Sequence, residues 1–504
     1  MLKIGWSKQD ISTDKPFPLG GQAYIRFSRF VLDPIYVTAL TVENGGNHII
    51  FLSTDVSDIP GSVLNSVKTE VSRINADINP LNIIINATHC HSAPMLSPGD
   101  TVGEYGKFSE LPHDGVPLSR PGEYFDFFVS RCAKAILDSF NSRSEGYISY
   151  GYGFATTSHN RRAVYFKDMT EDSDNKLLKL TEGSAKMYGR TDIPEFSHLE
   201  SGADPYVNFM FTFGADKKLT GAVINVPSPS QNIELEYSIS ADFWHDVRVG
   251  LAERYGDIYI LPQCGAAGDL APRARYYDKA EERRFRLKYA DVKLHDGLVN
   301  PTEIFRRKDI AEQIIAAFDD VYPWAKKEKL SDVPVLHTVK EIGLEKRCIT
   351  QEEYDYFDSA RLDYEDKPPI STDDKVYDLK RNTRNISAKY DNETIVKRYK
   401  EQYNSESFIT EIHTVRIGDI AFASNQFELY MDFAHRIAAR SPFVQTFIIE
   451  LAAQPGRPSG SYIATERAVK CRGYSANLFS NYVTPNGGTK LVEATLDELN
   501  NLYK

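Results

Sequence analysis

Thr88-His89-Cys90-His91-Ser92-Ala93-Pro94 concentrates the residue types that do chemistry. It follows Leu81-Asn82-Ile83-Ile84-Ile85-Asn86-Ala87, an apolar, β-branched run whose composition suits a strand buried on both faces, as in the middle of an α/β sheet. The polar residues then fall at the strand's C-terminal end, where open α/β sheets place their ligand crevices. Side chains two apart on a strand share a face, so the spacing predicts His89 and His91 projecting together. Two neutral imidazoles so placed can bind a metal ion, or one can bind it while the other moves protons. The plainer alternative is two histidines satisfied by hydrogen bonds in a loop.

Other chemistry-bearing residues sit at similar boundaries. Thr54-Asp55 ends the strand His48–Ser53; Asp55 either lines the same crevice or caps the next helix. Asn160-Arg161-Arg162 forms a basic loop that could anchor a carboxylate, phosphate or carbonyl oxygen, or be a solvated surface pair. The strand Leu219–Val226 runs into Pro227-Ser228-Pro229-Ser230-Gln231-Asn232, which puts Ser228 and Gln231 beside a bound substrate, with Asn160 and Asp55. Gly265-Ala266-Ala267-Gly268-Asp269 is a small-residue turn that lets backbone approach a ligand or a neighbouring strand. Glu428 stands at a strand-to-helix junction as a metal ligand, a general base, or a first-turn carboxylate on a helix dipole.

The elements needed to hold these groups are legible around them. Tyr36–Val42 and His48–Ser53 read as strands joined across Gly45-Gly46, and residues 62–76 carry helical spacing into the Ile83 strand. That strand–helix–strand unit requires a partly parallel sheet. A helix is expected from Pro121, strands at 206–213, 219–226 and 258–261, and a hairpin at 408–424 turning on Gly418-Asp419. Phe443–Leu451 reads as one more buried strand, feeding the loop Gly456–Tyr462. Residues 95–120 form a long loop beside the site, and 166–202 a peripheral excursion. The expected fold is α/β, a large mixed β-sheet core flanked by helices in one domain over 1–504, with a charged helical insertion at about 276–404.

Composition bounds the function classes. Hydrophobic content of 41% and charged content of 26% fit an ordinary soluble globular protein. A net charge of −11 argues against nucleic acid as the main partner and against adsorption to anionic membrane. No apolar stretch reaches the ~18 residues of a membrane span, so stable membrane insertion is not expected. Five scattered cysteines form no CxxC pair or disulfide framework, and no secretory leader is visible at the start; both point to a cytoplasmic protein. The 29 tyrosines suit a cleft for a polar, ring-bearing or sugar-like ligand. A small-molecule or glycan substrate is the expected partner, and homo-oligomer formation is left open.

The order Asp10-Ile11, Thr88–Pro94, Asn160-Arg161, Gly268-Asp269-Leu270-Ala271-Pro272, Phe427-Glu428 and Ser461-Tyr462-Ile463-Ala464-Thr465 resembles the catalytic domain of neutral/alkaline (non-lysosomal) ceramidases. The similarity spans nearly the whole chain, with the histidine motif its most specific part. It implies a zinc amidase: zinc on His89, Glu428 and Tyr462, with His91 and Arg161 beside it as catalytic groups and Asp269 in the Gly-Asp motif. It also implies a catalytic domain without the family's C-terminal immunoglobulin-like domain. Two positions depart from the pattern: Ser228 replaces the family's second zinc histidine, and Ala271 replaces the serine of Gly-Asp-x-Ser-Pro. Serine is a far weaker zinc ligand than imidazole, so zinc affinity should fall. Three functions follow: metal-assisted hydrolysis of an amide or related bond in a small polar substrate rather than ceramide; metal-free action on a glycan or glycoside, with Glu428 paired to Asp269 or Asp55; or binding without turnover.

Overall fold

In the computed structural model, which describes residues 1–292, 299–364, 367–455 and 460–504, two sheets lie face to face between two layers of helices. The larger sheet uses β1 (Lys3–Asp10), β2 (Tyr36–Asn44), β3 (Asn47–Thr54), β4 (Ile83–Ala87), β5 (Ser144–Phe154), β6 (Tyr206–Gly214), β7 (Leu219–Val226) and β8 (Tyr259–Cys264), in the order β8-β7-β6-β5-β1-β2-β3-β4. The smaller sheet uses β9 (Val335–Leu344), β10 (Phe408–Ile417), β11 (Ile420–Ser424) and β12 (Gln445–Ile449), in chain order.

Strand alternation explains the layering. In β2 and β3, Val37, Ala39, Ile50 and Leu52 face α1 (Gly61–Ile74) and α2 (Pro121–Asn141), while Leu40, Val42, Ile49 and Phe51 face the second sheet. Phe422 and Phe447 of the smaller sheet stack in that intersheet layer, 4.5 Å apart, with Phe51 4.9 Å from Phe422. The far face of the smaller sheet is covered by α5 (Met431–Arg440) and α6 (Pro485–Tyr503), through Phe433, Ile437, Leu491 and Leu499. Among the described residues no helix is long and apolar enough to cross a membrane.

Two expectations change. β4 is buried on both faces, but it lies at the edge of its sheet rather than the middle. The free edge is covered by the chain after β12: Ala453 N–H donates to Ile85 O at 2.8 Å and Ala452 bridges Asn86. The stretch 276–404 is also not a charged add-on. Within it, α4 (Pro301–Ala325) sets Ile310, Ile314 and Phe318 into the main core, and β9 pairs with β10 along its whole length. Arg307 of that helix pairs with Asp33 at 2.5 Å while the helix's apolar stripe turns inward, as the spacing of Ile304, Ile310, Ile314 and Phe318 predicts. Of the loop read ahead of Tyr462, residues 456–459 lie outside the described residues.

Candidate functional site

Three strand–helix–strand units bring their C-terminal ends to one place. They are β3-α1-β4, β7-α3-β8 with α3 at Phe243–Tyr255, and β11-α5-β12, each with its two strands parallel. Parallel strands expose carbonyls and loops at one end, and here three such ends are stitched together. Ser230 N–H donates to Thr88 O (3.3 Å), Ala87 N–H to Leu451 O (3.3 Å) and Glu450 N–H to Cys264 O (3.1 Å). His89, Arg161, Glu428 and Tyr462, far apart in the chain, are direct neighbours in this hollow, and His91 adjoins His89.

The histidine pair meets for a different reason from strand spacing. β4 ends at Ala87, and His89 has a positive φ of 59°, so the turn, not a pleat, aims the two rings at each other. Their Nε2 atoms are 3.2 Å apart. His89 Nδ1 lies 2.9 Å from Ser57 O, and His91 Nδ1 lies 3.1 Å from Glu234 Oε2. A carbonyl and a carboxylate only accept, so both Nδ1 atoms carry hydrogen and both Nε2 lone pairs face inward. Burial holds His89 below its ordinary pKa despite the opposing charge of Glu428, so its Nε2 stays a bare acceptor.

The other wall is built by a short parallel pairing of Glu428–Leu429 with Tyr462–Ile463, which puts Glu428 and Tyr462 in register. Glu428 Oε2 is 3.6 Å from His89 Nε2 and 3.5 Å from Arg161 Nη2. Arg161 Nη2 donates to Tyr462 Oη at 3.1 Å and to Gly268 O at 2.9 Å; its buried Nε has no protein partner among the described residues. Burial works against its charge, but Tyr462, Tyr188 and Glu428 outweigh burial and keep it a cation. Burial, with Glu428 adding to it, lifts the Tyr462 phenol well above its usual range, so Tyr462 is a neutral donor.

The remaining expected residues hold the scaffold. Asp269 Oδ2 accepts from Ser201 Oγ (2.7 Å) and Asn160 Nδ2 (3.0 Å), and its Oδ1 accepts from Met431 N–H (3.0 Å). Asp269 and Asn160 therefore tie the Arg161 loop to the helix after Glu428. Ser228 Oγ donates to Thr157 O at 3.0 Å, and Gln231 Nε2 to Tyr188 Oη at 3.2 Å. Asp55 sits apart: its carboxylate is bonded to Arg248 at 2.7 and 3.1 Å and to Tyr36 N–H at 2.9 Å, so it neither caps a helix nor faces the hollow. The small-residue turn serves a neighbouring strand: a Cβ on Gly268 would lie 2.4 Å from Glu428 O.

Four residues at the site had no place in the expectation. Glu234 lies three residues beyond Gln231 on the same strand-end loop, which was a usable signal. Glu450 is 1% exposed; its Oε2 accepts from Ala267 N–H (3.0 Å) and Leu429 N–H (2.9 Å), strapping the second and third units together. Burial, then Glu428, pushes its carboxyl well above the usual range, and a lone acid closing an apolar strand was its signal. Asp58 takes a 2.7 Å hydrogen bond from Ser57 Oγ, and burial raises its carboxyl, with His89 among the charges it feels. Tyr188 comes from the stretch read as peripheral and carries no sequence signal.

The zinc implied by the resemblance can be tested against these donors. Three of its four positions, His89, Glu428 and Tyr462, are gathered. The fourth is Ser228, whose hydroxyl is turned to Thr157 O, and the Arg161 cation lies against both Glu428 and Tyr462. Among the described residues no group of three or more His, Cys, Asp and Glu side chains is arranged to hold a metal ion. The residues present do not make up the family's four-ligand centre.

Comparison with known structures places the fold. The chain is similar to a neutral ceramidase from Pseudomonas aeruginosa, with TM-score 0.65 and 15% identity over 99% of this chain and 74% of that one. It is also similar to a ceramidase complexed with C2, with TM-score 0.61 and 13% identity over 100% of this chain and 75% of that one. No family model and no curated protein matches the chain. The architecture is thus a neutral ceramidase-like α/β fold.

Proposed function

We propose that this protein is a hydrolase that cleaves an amide or related bond in a small polar substrate, without a metal ion. The observation that carries this reading is the inward-facing His89–His91 pair, with Nε2 atoms 3.2 Å apart, beside Arg161, Tyr462 and Glu428. A water at the pair loses its proton to an Nε2 lone pair as its oxygen bonds to the substrate carbonyl carbon. Charge developing on the carbonyl oxygen is met by the Arg161 guanidinium and the Tyr462 hydroxyl in a buried setting, where such donors act most strongly. Collapse breaks the carbon–nitrogen bond as the imidazole proton passes to the leaving nitrogen. The walls are His, Glu, Tyr, Arg and Gln side chains, which suits a polar substrate better than a lipid. The ceramidase fold of the two structural neighbours supports the reaction class. A glycosidase carboxylate pair finds less support, because Asp269 and Asp55 are both bonded elsewhere.

The test is a panel of N-acyl amides and chromogenic glycosides offered to protein purified without added metal, with metal content measured on the same sample. Amide cleavage lost in His91→Ala and Arg161→Lys supports the proposal. Cleavage of glycosides alone, or about one zinc per chain that disappears in His89→Ala, would overturn it.

A further inference from the structure

We propose that Glu234, held by Gln22 and Arg273, is the positioning residue that fixes His91, itself clamped under the Gly20-Gly21 turn, as the general base. The proposal rests on the hydrolase reading of the site. Imidazole can place its single hydrogen on either nitrogen, and only the form with Nδ1–H turns a lone pair toward the hollow. Glu234 selects that form: its Oε2 is 3.1 Å from His91 Nδ1. The same oxygen accepts from Gln22 Nε2 at 3.0 Å, and Oε1 lies 3.4 Å from Arg273 Nη2, so the carboxylate has no freedom to turn away. Glu234 is 7% exposed, and its carboxyl is held below the usual range: burial opposes this, but His91 and Arg273 outweigh it.

The ring is clamped as well. Gly21 has φ of 86°, and a Cβ there would lie 2.4 Å from His91 Cγ, so glycine is required for the chain to press on the imidazole. Arg26, 1% exposed, donates to Gly20 O at 3.0 Å and to His91 O at 2.7 Å, tying the clamp to the residue it clamps. The Phe17–Gly21 turn, unremarkable in sequence, thereby becomes part of the active site. During reaction the proton taken from water resides on His91 Nε2, and the Glu234 carboxylate faces the resulting imidazolium across Nδ1–H.

The experiment compares wild type, Glu234→Gln and Gly21→Ala. Protein labelled with ¹⁵N-histidine reports the His91 tautomer by NMR, assigned with His91→Ala; steady-state kinetics use an amide found in the panel above. In wild type the hydrogen is on Nδ1. In Glu234→Gln it leaves Nδ1, and kcat falls at least ~100-fold while KM changes by less than about threefold, as expected when a base loses its orientation. Gly21→Ala, which leaves every charge in place, lowers kcat by displacing the ring, at least ~10-fold by the same reasoning. An active Glu234→Gln enzyme with His91 still protonated on Nδ1 overturns the positioning role alone. A wild type that cleaves no amide brings down the hydrolase reading by that result alone.

Discussion

Among the described residues two histidine pairs are each backed by a glutamate, and they are built in opposite ways. At the strand ends, His89 and His91 each direct Nδ1–H outward, to Ser57 O and Glu234, leaving two lone pairs head to head at 3.2 Å. On the smaller sheet, His337 Nε2 lies 3.0 Å from His413 Nδ1, and His413 Nε2 lies 2.9 Å from Glu411 Oε1. There the contacts run head to tail, His337 to His413 to Glu411, and His337 Nδ1 lies 3.3 Å from Asn82 Oδ1, so every ring nitrogen has a partner within the protein. The rings stack nearly parallel, 12° apart, from diagonal positions on paired strands. The second pair is enclosed by protein partners; the first turns two Nε2 lone pairs into the hollow. Residue type and proximity are shared, so the difference in chemistry comes from which nitrogen each neighbour occupies.

Mutation should separate the pairs most sharply in activity. His91→Ala should lower kcat/KM by about 10²–10⁴-fold, while His413→Ala leaves it within about twofold. Initial rates on a cleaved amide decide this; equal losses would erase the contrast. Tyr462→Phe, which keeps the ring and removes one donor to the developing oxyanion, should lower kcat by about 10²-fold or more; an unchanged kcat would remove the phenol from the chemistry. In stability the order reverses. His413→Leu strips Glu411 and His337 of a buried partner, and should cost about 1–3 kcal/mol in urea unfolding at full specific activity.

A further contrast lies in acid. Burial pushes His337 down to about 3, with His413, Lys68 and His48 contributing. Between about pH 6.5 and 3 the unfolded chain therefore binds a proton that the folded protein does not, so this group removes stability as pH falls through that window. His337→Gln should flatten the acid limb of a stability-versus-pH curve and leave the region above about pH 7 unchanged. A wild-type slope in the variant would deny His337 that role.

Much of the scaffold was readable because its signals are local. The Gly45-Gly46 and Gly418-Asp419 turns, the Pro121 helix start and the apolar spacing of Val63, Val67 and Val71 depend on neighbours a few residues away. The convergence of His89, Arg161, Glu428 and Tyr462 followed from a family pattern rather than from spacing. Glu234, Glu450 and Tyr188 were missed because their roles exist only where separate strand ends meet. The edge position of β4 was hidden for a related reason: a covered edge and a central strand both require an apolar segment.

What the chain alone determined was which segments become strands and helices, and that polar residues stand where those strands end, since both depend on side-chain type at short range. Only the tertiary structure decided that three strand ends share one hollow, that Ser228 turns to Thr157 while Arg161 lies against Glu428 and Tyr462, and that both imidazoles present bare nitrogens. Those facts depend on which acceptor lies within about 3 Å of each donor and on how much water burial removes, neither of which one-dimensional order specifies.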